Sequence, residues 1–540
     1  MTDAEREFSD LYKTYLAQYE PLWKEQARAW WDASIAGTDE AFARRKAAEA
    51  ALIDLHSDRV TFARLESLRK SGVITDPVLK RQLEVMYFAF LPVQADATLL
   101  KRIAEIEADV EQVFNTHRSL INGRRATENE VRAALSQTKS SQEAEAAWKG
   151  YMAVGRKIEP KLKELVRLRN RAAKEVGFSD FFSLRLALQE LDQAELFRIF
   201  DELDSLTRGP FAQLKASIDE HMATRFGITP AELKPWHFGD LFFQEAPEIG
   251  AVDLDDMLRD SDIVRLTSEY YAGLGMPVDD ILKRSDLYEK EGKTPHAFAT
   301  DLDRAGDVRI LCNLKPNIYW MDTLVHELGH AVYDKYIATD LPFNLREASD
   351  AITTEGIALM LGAMVKKEEW IRRVLKLPSN KAGEYVKTSR ASLRSEKLLF
   401  SRWAQVMTRF EHAMYTDPDQ DLNTLWWDLK KRYQLLNPPG DVNRPDYCAK
   451  MHIVGAPAYY HSYMLGELFA SQVSHYIARR VIHSADDGTC FAGRREAGDY
   501  LREKVFAPGK LYSWRELTRR ATGEPLSAKY FAQQFSVGEP

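Results

Sequence analysis

Cysteine is scarce in this chain of 540 residues, with only Cys312, Cys448 and Cys490. An odd, widely spaced set gives no disulfide framework; at most one pair could form, so the cysteine count leaves the compartment open. No window holds 18 consecutive apolar residues, so no transmembrane segment is expected. A basic stripe is missing as well. The 74 Lys and Arg are mixed along the chain with 81 Asp and Glu, for a net charge of −7, and nucleic acid is not an expected partner. The opening Met1-Thr2-Asp3-Ala4-Glu5-Arg6 is polar and acidic, unlike a secretory signal. A periplasmic or secreted location would require that a signal had been removed; otherwise the expectation is cytoplasmic. Low-complexity linkers and internal repeats are also lacking, which favours one catalytic unit over 1–540 with internal lobes rather than separable modules.

What the chain has in quantity is helical periodicity. Over Ala4–Ile35, Phe8, Leu11, Tyr15, Leu16, Tyr19, Leu22 and Trp23 recur at spacings of three and four, with Pro21 a candidate kink. Thr38–Leu55, Asp76–Leu91 and Ser141–Val176 read the same way. Breaks are expected at Gly209-Pro210, Gly227–Pro230, Pro235, Pro247–Gly250, Asp417-Pro418 and Asn437–Asn443. One region departs from helix: His296–Asp303 and Asp307–Cys312 flank Arg304-Ala305-Gly306 and read as two short strands around a turn. The fold class is therefore mainly α with a short β-sheet just upstream of the strongest motif.

That motif is His-Glu-x-x-His within Thr323-Leu-Val-His-Glu-Leu-Gly-His-Ala-Val-Tyr333. On a helix His326 and His330 share a face, and two neutral imidazoles at that spacing can bind one Zn2+; Glu327 then sits beside the water that the metal activates. Leu324, Val325, Leu328, Ala331 and Val332 make the segment apolar, so it is expected to be buried. Buried polar groups need partners, and a metal supplies them. A third ligand should come from a nearby helix. Glu355 lies 25 residues beyond His330 in the apolar run Ala348–Gly362, and is preferred to Glu347 and Asp350, which read as closer to a loop. Read alone, Gln244, Lys450 and Tyr463 are more often structural or solvated than functional.

Together these residues resemble the angiotensin-converting enzyme family of zinc peptidyl-dipeptidases, over about Ser140–Ser536 and with the helical N-terminal part included. Gly239-Asp-Leu-Phe-Phe-Gln244 is similar to the family's Gly-Asp-Met-Trp-x-Gln, Ala449-Lys450-Met-His452 to its Lys-x-His pair, and His296-Ala297-Phe298-Ala299 to its His-Ala-Ser-Ala strand. Tyr460 and Tyr463 match its Tyr-x-x-Tyr. The resemblance implies a large helical ellipsoid split by a deep substrate channel, with residues 1–135 as a helical lid and N-terminal part and 136–540 as the catalytic core. It implies one zinc per chain, held by His326, His330 and Glu355, and oligopeptide substrates with a free C-terminus. Gln244, Lys450 and Tyr460 would bind the terminal carboxylate, as one full charge and two neutral donors. His296, Ala297 and Ala299 would meet the extended peptide. Glu327 would act as general base, with Tyr463, assisted by His452, donating to the oxyanion. The spacing from His452 to the tyrosines is one residue longer than in the animal enzymes, so Tyr459 competes for the role of Tyr460. His461 reads as a supporting or surface residue.

Three departures accompany the resemblance. Ser462 stands where the animal enzymes carry an arginine linked to chloride activation, so that dependence is not expected here. Pro295 stands opposite Cys312, removing a disulfide. Leu359 replaces an acid one turn beyond the third ligand, so the groups supporting the zinc ligands must differ. Two rival readings share the residues: a zinc carboxypeptidase or oligoendopeptidase on the same scaffold, and a catalytically silent peptide-binding protein.

Overall fold

A computed structural model describes residues 2–247, 253–485 and 489–535. The chain divides into two compact units. The first comprises Met1–Gln94, Val252–Arg390 and Leu465–Tyr530; the second comprises Ala95–Ala251, Ala391–Met464 and Phe531–Pro540. The architecture is mainly α, with two two-stranded sheets among the described residues.

In the first unit the helix Asp3–Ala36 begins on a capping box between Thr2 and Glu5 and ends on the left-handed Gly37. Of the stripe expected from the sequence it buries Phe8, Leu11 and Tyr15, with Tyr12 beside them, while Leu16, Tyr19, Leu22 and Trp23 are half-buried; Pro21 lies within it without dividing it. The helix Ile318–Lys335 starts on the Asn317 cap, whose side chain accepts from the Trp320 N–H at 2.9 Å. It packs against the helix Ala351–Gly362, capped by Asp350. Close approach of these helices depends on glycine. A methyl group on Gly329 would come within 2.8 Å of the Ala358 Cα; on the other side of Ala351–Gly362, one on Gly356 would come within 2.7 Å of the Gly466 carbonyl oxygen, on the helix Tyr460–Tyr476. The hairpin Phe298–Asp301 and Val308–Leu311 lies beside the first of these helices, with Ala299 opposite Ile310. Each strand is shorter than the sequence indicated, and His296 and Ala297 precede the first one.

In the second unit the helices Val154–Glu175, Gln193–Phe226 and Leu422–Gln434, and the Ala391 onward part of Ser379–Thr416, enclose Trp148, Phe200, Trp403, Phe410 and Trp426, all nearly inaccessible. Two expectations fail here. Gly209-Pro210 does not break the chain: Pro210 sits inside Gln193–Phe226, which buries Leu203, Phe211, Ile218 and Met222 on either side of it. A proline in a helix interior costs about 3 kcal/mol, and the apolar burial on both sides outweighs it. Ser141–Val176 is two helices, Ser141–Met152 and Val154–Glu175, rather than one run. The break expected at Pro247–Gly250 falls mostly outside the described residues. All three cysteines are buried and unpaired, so the single possible disulfide does not form. Among the described residues no single helix is long and apolar enough to cross a membrane.

Candidate active site

The helix Ile318–Lys335 buries Leu324, Val325, Leu328, Ala331 and Val332, and this burial turns His326 and His330 to one face. The neighbouring helix brings Glu355 to them. Its Oε2 lies 3.7 Å from Nε2 of His326 and 3.8 Å from Nε2 of His330. Those separations are too long for hydrogen bonds and are spanned by two bonds of about 2.1 Å to one ion. Among the described residues this trio is the one group of His, Cys, Asp and Glu arranged to hold a metal, its ligand atoms lying within 4.8 Å of one another. Burial lowers the pKa of both imidazoles, that of His330 to about 3, leaving them neutral and ready to ligate. Burial also raises the Glu355 carboxyl to about 7, as expected of a carboxylate built to face a cation. The three side chains keep 17–23% of their surface open, which leaves room for a fourth ligand. The donor set and its spacing fit zinc.

The two rival acids are occupied elsewhere. Glu347 pairs with Arg304 and with Lys510, and Asp350 accepts from the Ile352 N–H at the start of its helix. Glu327 is 8% exposed. Burial first, and then the Glu355 charge, push its carboxyl up to about 8, opposed by a hydrogen bond from the Ala299 backbone N–H. The first strand of the hairpin therefore touches the candidate base.

Sequence reasoning missed Thr354. With Leu359 in place of an acid, support for His330 comes from the residue before the glutamate ligand: Nδ1 of His330 lies 2.7 Å from Oγ1 of Thr354. A threonine in an apolar helix carries no signal for this; only its neighbour Glu355 marks the place. Thr354→Val is expected to weaken zinc binding by about 10- to 100-fold, as loss of such a partner commonly does. Competition of the purified protein against a chromophoric chelator measures it, and unchanged affinity would remove Thr354 from the site.

His296 and Ala297 lie in the first unit, just ahead of the strand Phe298–Asp301, whereas Gln244, Lys450, His452, Tyr460 and Tyr463 lie in the second. Lys450 is buried and donates to Oε1 of Gln244 at 2.7 Å. Its ammonium lies over the rings of Phe242, Trp403 and Tyr460 at 5.2–5.6 Å. Burial pulls its pKa down to about 8, with Asp240 acting against the fall. Gln244 is aimed by a tight turn: Asp240 Oδ2 accepts from the N–H groups of Phe242 and Gln244, and Phe243 is left-handed at φ 55°. Lys430 and Gln434, also missed from sequence, hold the Phe242 and Phe243 carbonyls of that turn at 2.8 and 2.7 Å. The Tyr460 ring is 5.1 Å from that of His452, whereas Tyr459 packs edge-on to Tyr463 at 4.9 Å. Tyr460 thus adjoins Lys450 and His452. His461 is not a surface residue; it is buried, with Nε2 2.6 Å from Oε1 of Gln189. The same amide donates to the Ser462 hydroxyl at 2.7 Å.

Comparison with known proteins finds relatives along the whole chain. A peptidase family model, described as angiotensin-converting enzyme, matches residues 2–536. The angiotensin-converting enzyme of Mus musculus is 25% identical over 421 residues, covering 72% of this chain and 32% of the mouse protein. That of Oryctolagus cuniculus is 23% identical over 570 residues, covering 98% of this chain and 42% of the rabbit protein. Carboxypeptidase 1 of Bacillus subtilis is 24% identical over 272 residues, covering 45% of this chain and 52% of that enzyme. The chain spans about a third of the length of the mouse relative.

Proposed function

Because the chain belongs to the angiotensin-converting enzyme family of metallopeptidases, we propose that it releases dipeptides from the free C-terminus of oligopeptides. The observation that carries this reading is the environment of Lys450. A buried ammonium whose hydrogen-bond partner is the neutral amide of Gln244, beside the Tyr460 ring, is a charge in want of an anion. A peptide carboxylate is the anion that a peptidase meets at one end of its substrate.

In this reading Gln244, Lys450 and Tyr460 hold the terminal carboxylate, and the strand Phe298–Asp301, with His296 and Ala297 ahead of it, offers backbone groups to the extended peptide. His326, His330 and Glu355 hold zinc, which supplies Lewis acidity toward a water and the scissile carbonyl when bound. Glu327 takes a proton from the attacking water and passes it to the leaving amine. The Tyr463 hydroxyl donates to the developing oxyanion, and His452, kept neutral by burial, which lowers its pKa to about 4, donates beside it.

Mass spectrometry of products from one peptide with a free and with an amidated C-terminus tests the reading. Successive loss of dipeptides from the free peptide alone is expected. Release of single residues, or internal cleavage of both peptides, would replace it with a carboxypeptidase or an endopeptidase.

The clamp also sets a pH dependence. Lys450 binds a carboxylate only while charged, and its pKa is lowered to about 8. Loss of the Lys450 charge is therefore expected to contribute a falling limb to kcat/KM for a free-ended peptide as pH rises through about 8, opposed by the rise from ionisation of Glu327 over the same range, and this falling limb should be lost in Lys450→Met. A profile unchanged by that substitution would take Lys450 out of the clamp.

A further inference from the structure

The segment Met451–Tyr459 joins His452 to the start of the helix Tyr460–Tyr476, so its shape sets where His452, Tyr460 and Tyr463 point. Two buried side chains, a guanidinium and a carboxyl, hold it. Arg169, on Val154–Glu175, is 2% exposed and spends its guanidinium on this segment: Nη1 donates to the Ile453 carbonyl at 3.3 Å, and Nη2 to the Val454 carbonyl at 2.6 Å. The same group reaches the Tyr415 hydroxyl at 3.0 Å and Glu107 at 2.5 Å. Glu411, on Ser379–Thr416, is 1% exposed and accepts the Ala458 N–H at 2.7 Å. Ala458 is left-handed at φ 51°, a conformation that costs a residue with a Cβ about 1 kcal/mol or more. Such a turn persists only where its surroundings impose it, and the Glu411 carboxyl does so here. None of these groups belongs to the carboxylate clamp or the metal trio.

We propose that Arg169 and Glu411 are positioning residues that mould Met451–Tyr459 and thereby aim His452, Tyr460 and Tyr463 at the substrate. The proposal rests on the peptidase reading given above. Burial pushes the Glu411 carboxyl up to about 8, against the Ala458 N–H and the charges of Arg169 and Arg185. In either protonation state an oxygen remains to accept the Ala458 N–H, so an amide serves in its place and a methyl group does not.

The test compares Glu411→Ala with Glu411→Gln in the full chain, reading kcat, KM, zinc content and backbone amide exchange. In Glu411→Ala kcat should fall by about 100-fold, the scale of a small misplacement near the chemistry. Zinc content should stay at the wild-type value, and amides of 453–460 should exchange faster while those of Ile318–Lys335 do not change. Glu411→Gln should restore kcat to near the wild-type rate. Wild-type kcat in Glu411→Ala, or equal damage in both variants, would overturn the proposal. If Glu411→Ala does not fold, Arg169→Lys decides instead: the charge stays but the fork across two carbonyls is lost, so kcat should fall, and wild-type kcat would overturn it. If the wild-type protein cleaves no peptide, the peptidase reading fails, and amide exchange alone then decides whether the brace exists.

Discussion

Glu327→Gln is expected to lower kcat by about 10⁴-fold, the upper end of what a positioned general base supplies. That factor corresponds to about 5.5 kcal/mol of barrier. The amide has the shape of the carboxylate and keeps an oxygen for the Ala299 N–H, so neither folding nor the neighbouring ligands His326 and His330 should suffer. What it loses is the capacity to take a proton. Zinc content should match the wild-type protein and KM should change little, because the lost interaction is made in the transition state. Steady-state kinetics with elemental analysis of the same preparation measures both. Full turnover in Glu327→Gln would contradict the assignment of the base.

Tyr463→Phe is expected to lower kcat by about 10²–10³-fold, the usual effect of removing one oxyanion donor. The ring contacts of Tyr463 with Tyr459 at 4.9 Å and with Tyr460 at 5.8 Å need the ring and not the hydroxyl, and survive the change. A loss confined to kcat, with KM and zinc content held, identifies the hydroxyl as a donor to the transition state. A rise in KM at constant kcat would instead place Tyr463 among the groups that bind the substrate's ground state.

The parts of the site that the sequence made legible are those written in local spacing. His326, Glu327 and His330 lie within one helical turn and a half, and the apolar residues between them announce a buried face. Glu355 was legible as the lone acid of an apolar helix. That Gln244 and Lys450, 206 positions apart, would meet was suggested only by resemblance, since neither has a local pattern of its own. What no local pattern reports is a long-range brace. Arg169 reaches Val454 across 285 positions, and Lys430 reaches Phe242 across 188. Thr354 belongs to the same class, because its part in the site follows from which helix packs opposite it. The misread Gly209-Pro210 has a different cause. Propensity weighs one residue, whereas the helix there is held by apolar side chains on both sides of the proline. The mainly α fold and the hairpin beside the metal helix were legible in outline; the hairpin's ends were not, since His296 and Ala297 continue the sequence pattern without pairing.

The most direct test of the central claim is a titration of chelator-stripped protein with zinc, following hydrolysis of a fluorogenic peptide with a free C-terminus. Activity should be absent at the start, rise linearly with added metal, and level off at one zinc per chain, the capacity expected of His326, His330 and Glu355. Hydrolysis by the stripped protein, or a plateau that Glu355→Ala reaches at the same stoichiometry, would contradict it.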